Sequence, residues 1–523
     1  MLIFAILWTT LPQALHPGLL PYYCLEEFYT AWNLPELVQT FHHGPDAADF
    51  LERLPLNRGS SESAAGSLSF FLYLLPFVKI FGLGALSLNL AAFAVNIAFL
   101  VLAYFVGRKL FCDRFTIVLL GLLAAAPWYR AIMMSRNFYG LSAVITLASI
   151  AVLLAAMRKR KRRLYFAAGL LIGLSVYSYV VYRVVLIAAP VYCAALALAS
   201  WRKGPLDKAG LRLTAWLVLG MLIAFLPSLA NPANMAHNLF TGDQENPFKV
   251  HPGSDDPARS YAEVVDPLEN LNVMFGSPSW WFHNHTMHTV FLGLFVLGAV
   301  LIIARRERDA GFFLMYALLA LGGLILFVEW ITPSRIGGLF LPFFMVAAWG
   351  MRGLAVGLER IRPELKPWAS AAIVSLALFI LAWPAGRAFD REAARPNPWQ
   401  NLAASITDNG FRTSDILTTN KQEMRRAWVV YLDLAGGLTN EEADRLYPFL
   451  QRIDSDQRWR LELPVRGQGP YEAALMIPRD ELSTEAGERF RQNGFSVDDA
   501  GHDMLLVRGT GLEIEQMFDL ITE

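Results

Sequence analysis

Long apolar runs recur through residues 1–385 and constrain the fold more than any other feature of this chain. A helix needs about 20 mostly apolar residues to cross a bilayer, because hydrocarbon offers the backbone no hydrogen bonds. A shorter run, Met1–Leu11, opens the chain, and its helix either stops near Pro12 or continues toward Leu20. The longer runs are Leu86–Gly107, Phe115–Met134, Leu141–Met157, Leu164–Tyr182, Val184–Trp201, Leu211–Leu229, Thr289–Ala304, Gly311–Val328, Ile336–Met351 and Trp368–Pro384. The sequence therefore predicts an all-α membrane domain of about eleven transmembrane helices.

Composition supports a membrane protein and excludes several other classes. Of the 523 residues, 55% are hydrophobic and 17% are charged, and 45 basic residues balance 45 acidic ones. Soluble domains carry about 25% charged residues. This composition excludes a disordered chain and a small secreted domain held together by disulfides. It also excludes a protein that binds nucleic acid through a large net positive charge. We therefore expect membrane lipids, and no nucleic acid, among the partners.

Basic residues concentrate in every second loop between the apolar runs. The positive-inside rule places such loops in the cytoplasm. The remaining loops then face outward, including two long ones at about 12–83 and 230–287. The basic loops are Arg108–Arg114, Arg158–Arg163, Arg202–Arg212, Arg305–Arg308 and Arg352–Lys366.

The tail, residues 386–523, changes composition and has no run long enough to span. Strand-like and helix-like segments alternate in it, which predicts a small extracytoplasmic α/β domain. The predicted strands are Asp415–Thr419, Trp428–Leu434, Ala473–Ile477 and Met504–Val507, and the predicted helices are Glu441–Leu450 and Ser483–Asn493, the latter ending at Gly494.

Four arginines break the charge pattern, because they lie in or beside outward turns. They are Arg130, Arg136, Arg183 and Arg335. The planar guanidinium fits phosphate oxygens well, so four such groups at one membrane level favour a shared anion, most naturally a phosphorylated lipid headgroup. The alternative is that each arginine only anchors its turn at the bilayer surface.

An adjacent acidic pair, Glu26 and Glu27, follows the first apolar run in an aromatic setting. Neighbouring carboxylates near a bilayer surface suit a general base or a metal ligand, although a solvated turn is the simpler alternative. His283 and His285 are weaker metal candidates, together with Glu27, because nothing in their spacing fixes a coordination geometry. Whether a divalent metal is a cofactor stays open.

Four stretches together resemble the polytopic glycosyltransferases of the C-type fold, in particular bacterial protein mannosyltransferases and aminoarabinose transferases. The first is Pro17-Gly18-Leu19 with Leu25–Tyr29, which holds the acidic pair, and the second is Ser69–Tyr73 through Gly82. The third is Ser135–Phe138 with Gly169–Tyr179 and Arg183, and the last is Pro333–Gly338 with Leu341-Pro342.

The resemblance implies a polyprenyl-phosphate-linked sugar as donor and an outward active site in the bacterial cytoplasmic (inner) membrane. It implies inverting transfer to a hydroxyl of an envelope lipid, glycan or protein. By position, Glu26 or Glu27 would activate the acceptor or help to hold a metal. Arg136, Arg183 and Arg335 would stabilise the departing lipid phosphate.

Within this class the oligosaccharyltransferase branch is disfavoured, because Phe282 follows Trp280-Trp281 where that branch has Asp. Two other functions remain open. One is a catalytically silent relative that serves as a binding or assembly subunit, and the other is a transporter of lipid-linked sugars.

Overall fold

The computed structural model describes residues 2–15, 68–82, 85–126, 129, 132–133, 138–178, 180–201, 207–226, 285–327, 333–393, 405, 408, 416–417, 472–479, 484–501 and 504–510. These residues belong to two compact units. The helical unit holds those of Met1–His16, Ala47–Leu72 and Ala92–Ala393. The second unit holds those of Tyr73–Ala91 and Ala394–Glu523.

The described part of the chain before residue 394 is almost entirely helical. Its α-helices are α1 (Leu2–Leu15), α2 (Leu68–Phe81), α3 (Ala85–Val106), α4 (Asp113–Ala125), α5 (Phe138–Lys159), α6 (Arg162–Gly173), α7 (Val184–Trp201), α8 (Lys208–Phe225), α9 (His285–Arg305), α10 (Arg308–Phe327), α11 (Pro333–Ile361) and α12 (Pro367–Ala393). A π-helical turn, Gly107–Phe111, follows α3.

Five of the described helices are long and apolar enough to cross a membrane, which makes the chain a multi-pass membrane protein. They contain the segments Leu86–Val106, Tyr139–Lys159, Lys208–Phe225, Arg308–Leu326 and Gly338–Ile361. Shorter apolar helices lie at Val184–Ala199, Thr289–Arg305 and Pro367–Ile380. The count of eleven spans stays a prediction.

Two predicted spans are shorter as α-helices than their hydropathy indicates. In the predicted span Phe115–Met134, α4 ends at Ala125, because Ala126 is extended before Pro127, whose ring disfavours the helical conformation at the preceding residue. Tyr129, Ile132 and Met133 are again helical. The predicted span Leu164–Tyr182 is wrong in its second half, since α6 ends at Gly173 and two 3₁₀ turns follow. Helix α1, in contrast, continues through Pro12.

Helix α11 lies at the centre of the helical unit. Every residue from Gly338 to Met351 is buried, and a helix that is apolar all round is stable only inside a protein or bilayer. Helices α4, α9, α10 and α12 all pack against it. The other spans keep apolar side chains on their outer faces, as at Ile187 and Ile303.

Glycines let α9 approach α11 closely. A Cβ atom on Gly298 would lie 2.0 Å from the carbonyl oxygen of Val346, and one on Gly350 would lie 2.0 Å from that of Leu294. Small residues at such crossings allow the backbone contacts that drive helix association in lipid. The crossing therefore depends on the absence of both side chains.

Ion pairs join several basic loops at one end of the helical unit. They are Arg114 with Glu359 at 2.8 Å, Arg158 with Asp309 at 2.6 Å, and Arg160 with Asp207. The Gly210 N–H, together with Arg160, holds the pKa of Asp207 below its ordinary value. The loops that the charge pattern assigns to the cytoplasm therefore meet at the same end of the bundle, while the side of the membrane they face stays a prediction.

In the tail, the structure describes a four-stranded sheet and one helix. The strands are β1 (Ile416–Leu417), β2 (Glu472–Pro478), β3 (Ser496–Gly501) and β4 (Met504–Thr510), in the order β1-β2-β4-β3. Strand β1 is parallel to β2, and the other two pairings are antiparallel. Helix α13 (Thr484–Gln492) precedes β3 and is followed by Gly494, whose φ is +88°.

The predicted strands at 473–477 and 504–507 and the predicted helix at 483–493 correspond to β2, β4 and α13. Strand β3 was not predicted, because its sequence is largely polar. The predicted strand Trp428–Leu434 and the predicted helix Glu441–Leu450 lie outside the described residues.

We expect Gly298→Ala to lower the free energy of unfolding by about 1–3 kcal/mol, the usual cost of inserting a methyl group into a packed contact. Gly293→Ala, on the same helix, is the matched control because a Cβ there meets nothing within 4 Å. It should be neutral or stabilise the protein by up to about 1 kcal/mol, since alanine favours helix over glycine. Thermal unfolding in detergent compares the two, and equal destabilisation would contradict this account of the crossing.

Candidate functional site

A break in helical structure between α6 and α7 forms the core of the candidate site. After Gly173 the chain makes a 3₁₀ turn at Leu174–Tyr177, passes through Ser178, and makes a second 3₁₀ turn at Val180–Arg183. Backbone outside a regular helix is tolerated at membrane depth only where it is buried in protein or lines a cavity. This break is therefore the kind of place at which membrane proteins build sites.

Two buried serines hydrogen-bond to backbone carbonyls within the break. The Ser175 hydroxyl donates to the carbonyl oxygen of Ile172 at 2.5 Å, and the Ser178 hydroxyl donates to that of Ser175 at 2.6 Å. The Ser178 backbone N–H donates to the same Ser175 oxygen at 3.1 Å. These bonds replace part of the helical hydrogen-bond pattern and define the path of the chain toward Arg183.

Arg183 ends the second 3₁₀ turn and is only 9% exposed. Its Nε donates to the carbonyl oxygen of Ser178 at 3.2 Å. A guanidinium stays charged when it is buried, so it needs hydrogen-bond acceptors or an anion nearby. The break thus holds a fixed positive charge in a mostly apolar surrounding.

Four aromatic rings bring together three segments that the sequence analysis singled out. We call them the Phe340 cluster, and its members are Phe99, Tyr129, Tyr182 and Phe340. Ring centroids lie 5.6 Å apart for Phe99–Phe340, 6.0 Å for Tyr129–Phe340 and 6.5 Å for Tyr182–Phe340. Phe99 and Tyr129 also contact each other at 5.6 Å. Helix α11, the second 3₁₀ turn and the segment after α4 therefore meet at Phe340.

Two of these segments place the backbone of a predicted arginine next to the cluster. Arg130 follows Tyr129, and Arg183 follows Tyr182. Arg335 lies in the first turn of α11, five residues before Phe340 and so about 7.5 Å from it along the helix axis. The backbones at Arg183 and Arg335 are thus brought near one another, whereas Arg130 lies outside the described residues.

The rest of the predicted site falls outside the described part of the chain. This applies to Glu26, Glu27, Arg130, Arg136 and His283, and to the side chain of Arg335. His285 begins α9, but its side chain is also outside this part. Convergence of the guanidinium groups and carboxylates in one cavity therefore stays a prediction.

A metal site also stays a prediction. Among the described residues, no group of three His, Cys, Asp or Glu side chains lies close enough to hold a metal ion. The candidates from the sequence are Glu27, His283 and His285, whose side chains all lie outside the described part of the chain.

Sequence reasoning missed one buried polar residue beside the cluster. Asn96 lies in the middle of α3, is 0% exposed, and accepts a hydrogen bond from the Tyr129 hydroxyl at 2.8 Å. The available signal was a carboxamide within an apolar run, since polar side chains at membrane depth are costly and often functional.

Comparisons with known proteins identify the fold. No sequence profile of a known protein family matches the chain, and no curated protein matches it in sequence. Solved structures do match. ArnT from Cupriavidus metallidurans, bound to undecaprenyl phosphate, superposes with a TM-score of 0.57 at 12% identity, over 97% of this chain and 96% of that one.

Two archaeal structures match almost as well. The Archaeoglobus fulgidus oligosaccharyltransferase in complex with Zn and sulfate has a TM-score of 0.57 at 12% identity and covers 94% of this chain and 69% of its own. AglB from the same organism, with an inhibitory peptide and a dolichol-phosphate, has a TM-score of 0.53 at 12% identity, over 92% and 69% of the two chains.

These proteins share an architecture of packed membrane helices, and the likeness extends over nearly the whole of this chain. At such low identity the comparison establishes the architecture alone. The chain is a multi-pass membrane protein with the C-type glycosyltransferase fold that its sequence resemblance implied.

Proposed function

We propose that this protein is a membrane glycosyltransferase that moves a sugar from a polyprenyl-phosphate donor to a hydroxyl acceptor outside the cytoplasm. The acceptor would be an envelope lipid, glycan or protein. The protein would lie in the bacterial cytoplasmic membrane with its tail domain on the outer side. The observation that supports the proposal is the Phe340 cluster, in which Tyr182, next to buried Arg183, contacts the helix that carries Arg335.

The chemistry of a lipid phosphate fits this arrangement. The phosphate needs cationic donors at the bilayer surface, and the polyprenyl chain needs an apolar surface beside them. Arg183 is buried, and it directly follows Tyr182, whose ring contacts Phe340 in the helical core. Two proteins with this fold have been solved with such lipids, undecaprenyl phosphate in one and dolichol-phosphate in the other.

The proposed reaction assigns distinct roles to the acids and the arginines. The carboxylate of Glu26 or Glu27 takes the proton from the acceptor hydroxyl as its oxygen attacks the anomeric carbon of the sugar. The bond from that carbon to the phosphate oxygen breaks, and the oxygen keeps the electron pair. Because the leaving polyprenyl phosphate gains one negative charge, nearby guanidinium groups stabilise the transition state more than the bound donor.

The acid assignment is tested with Glu26→Gln and Glu27→Gln, singly and together. A general base contributes about 100-fold or more, so the double variant should lose transfer by at least that factor while still binding the donor lipid. Transfer is followed from undecaprenyl phosphate carrying radiolabelled mannose or aminoarabinose into an envelope extract. Transfer at the parent rate in the double variant would show that neither glutamate is the base.

The same assay separates the alternatives. An unaltered protein that binds the sugar lipid but transfers nothing from it would be a silent binding subunit. Movement of the labelled lipid across a vesicle membrane without transfer would identify a transporter. Either result would contradict the proposed enzyme activity.

For the arginines, we expect Arg335→Ala and Arg183→Ala to weaken undecaprenyl phosphate binding by about 1–3 kcal/mol each, the cost of losing a hydrogen bond to a charged group. Arg360→Ala is the matched control, because Arg360 lies on the same helix as Arg335 but about 38 Å away along the axis. Its variant should bind normally. The affinity of each variant for undecaprenyl phosphate is measured in nanodiscs. Equal binding by Arg335→Ala and Arg360→Ala would mean that Arg335 only anchors its turn at the bilayer surface.

A further inference from the structure

Three buried hydrogen-bond donors on α11 have no acceptor among the described residues. Two are Nε and Nη1 of Arg352, and the third is the indole Nε1 of Trp349, one helical turn earlier. The Arg352 guanidinium lies over the Trp349 ring, with its Cζ 4.4 Å from the ring centroid. That contact stabilises the face of the guanidinium, but it leaves these N–H groups unsatisfied.

Two further aromatic rings pack against Trp349. Its ring centroid lies 5.7 Å from that of Phe111 and 5.7 Å from that of Phe115. Phe115 belongs to α4, and Phe111 ends the π-helical turn Gly107–Phe111. Turns of this kind are rare and occur frequently at functional sites. The ring beneath Arg352 is therefore held by packing, which preorganises the donors beside it.

The acids at this end of the helical unit already have partners. Helix α11 contains one acid, Glu359, about 10 Å along the axis from Arg352. It accepts hydrogen bonds from Arg114 and Ser370 at 2.8 Å each. Three other acids pair with other arginines, namely Asp113, Asp207 and Asp309. Because a buried guanidinium stays charged, Arg352 needs an anion that none of these side chains provides.

Helix geometry places Arg352 near a bilayer surface. About 20 helical residues span a hydrocarbon core of about 30 Å. Counted from Pro333, where α11 begins, that length ends close to Arg352. The basic loops meet at this end, so the charge pattern assigns it to the cytoplasmic surface. Trp349 suits the position, since tryptophan is enriched where the bilayer meets water.

We propose that Arg352 and Trp349 bind the phosphate of an anionic phospholipid in the cytoplasmic leaflet. A phosphate supplies both the negative charge and the acceptor oxygens that the donors need. Arg352 is partly exposed, so a headgroup can reach it from the bilayer. The site lies about 25 Å along α11 from Arg335 and is separate from the proposed site of sugar transfer. The phospholipid there stabilises the packing of α11 and takes no part in the reaction.

Phosphatidylglycerol is the probe, titrated against the purified full-length protein in a nonionic detergent. We expect Arg352→Leu to weaken its binding at least about tenfold, because hydrogen bonds to a charged group are lost. Arg360→Leu is the matched control, since it removes the same charge from an exposed position about two turns further along α11. That variant should bind within about twofold of the parent.

Melting temperatures provide a second readout. A ligand that binds only the folded protein stabilises it, so phosphatidylglycerol should raise the melting temperature of the parent and of Arg360→Leu. It should not raise that of Arg352→Leu. Unchanged binding in Arg352→Leu, or an equal loss in Arg360→Leu, would overturn the inference, because the latter result would indicate diffuse attraction by the basic loops.

Two conservative variants keep the test available if Arg352→Leu does not fold. Arg352→Lys keeps the charge without the planar set of donors, and Trp349→Phe keeps an aromatic ring without the N–H. Each should weaken phosphatidylglycerol binding about threefold or more. Parent-like binding by both variants would contradict a site built from these donors.

Inorganic phosphate and a diacylglycerol with the same acyl chains identify what is bound. Neither should reproduce the stabilisation at the concentration at which phosphatidylglycerol acts, because the first lacks acyl chains and the second lacks the anion. An equal effect of inorganic phosphate would identify a free anion as the ligand instead of a phospholipid. An equal effect of diacylglycerol, or no effect of phosphatidylglycerol on the parent, would show that no lipid phosphate is recognised.

Discussion

Hydrocarbon cannot hydrogen-bond to a peptide group, and this constraint decides where the helical unit can depart from regular helix. The break after Gly173 is a departure of this kind. Within it, the hydroxyls of Ser175 and Ser178 donate to the carbonyl oxygens of Ile172 and Ser175. Arg183 then uses the carbonyl oxygen of Ser178 as an acceptor. Three polar side chains and an irregular backbone thus stabilise one another in a place where none of them would be stable alone.

The same constraint gives the buried side chains their precision. In water, an amide such as that of Asn96 could exchange its partners at little cost, but in an apolar interior each unpaired group costs about 1–3 kcal/mol. The bonds to Thr9 and Tyr129 are therefore directional and fix distances between helices. Close packing works alongside them, since the α9–α11 crossing leaves no room for a methyl group at Gly298 or Gly350. The hydrogen bonds hold α1, α3 and Tyr129 together, and the glycine crossing holds α9 against α11.

The sequence predicted the fold to the extent that hydropathy reports it. The apolar runs located most of the described helices, and the alternation of basic loops agrees with the ion pairs at one end of the bundle. Hydropathy could not reveal the break after Gly173, because Leu174-Ser175-Val176-Tyr177 is apolar enough for a helix and its 3₁₀ geometry depends on tertiary packing. Asn96 was not predicted for the same reason, because a single amide within an apolar run gives no sign of its role until its hydrogen-bond partners are known.

For the candidate site, charge was more informative than hydropathy. Arg130 and Arg183 stood out because they oppose the orientation bias, and in both cases the preceding residue is a tyrosine of the Phe340 cluster. The Tyr182-Arg183 pair packs its ring against Phe340 and keeps its buried guanidinium bonded to the carbonyl oxygen of Ser178. The architecture itself is common to a lipid-bound ArnT and to oligosaccharyltransferases. What must distinguish such proteins is the chemistry of the residues placed on this framework, and here the contact of Tyr182 with Phe340 brings the backbone at Arg183 near the helix that carries Arg335.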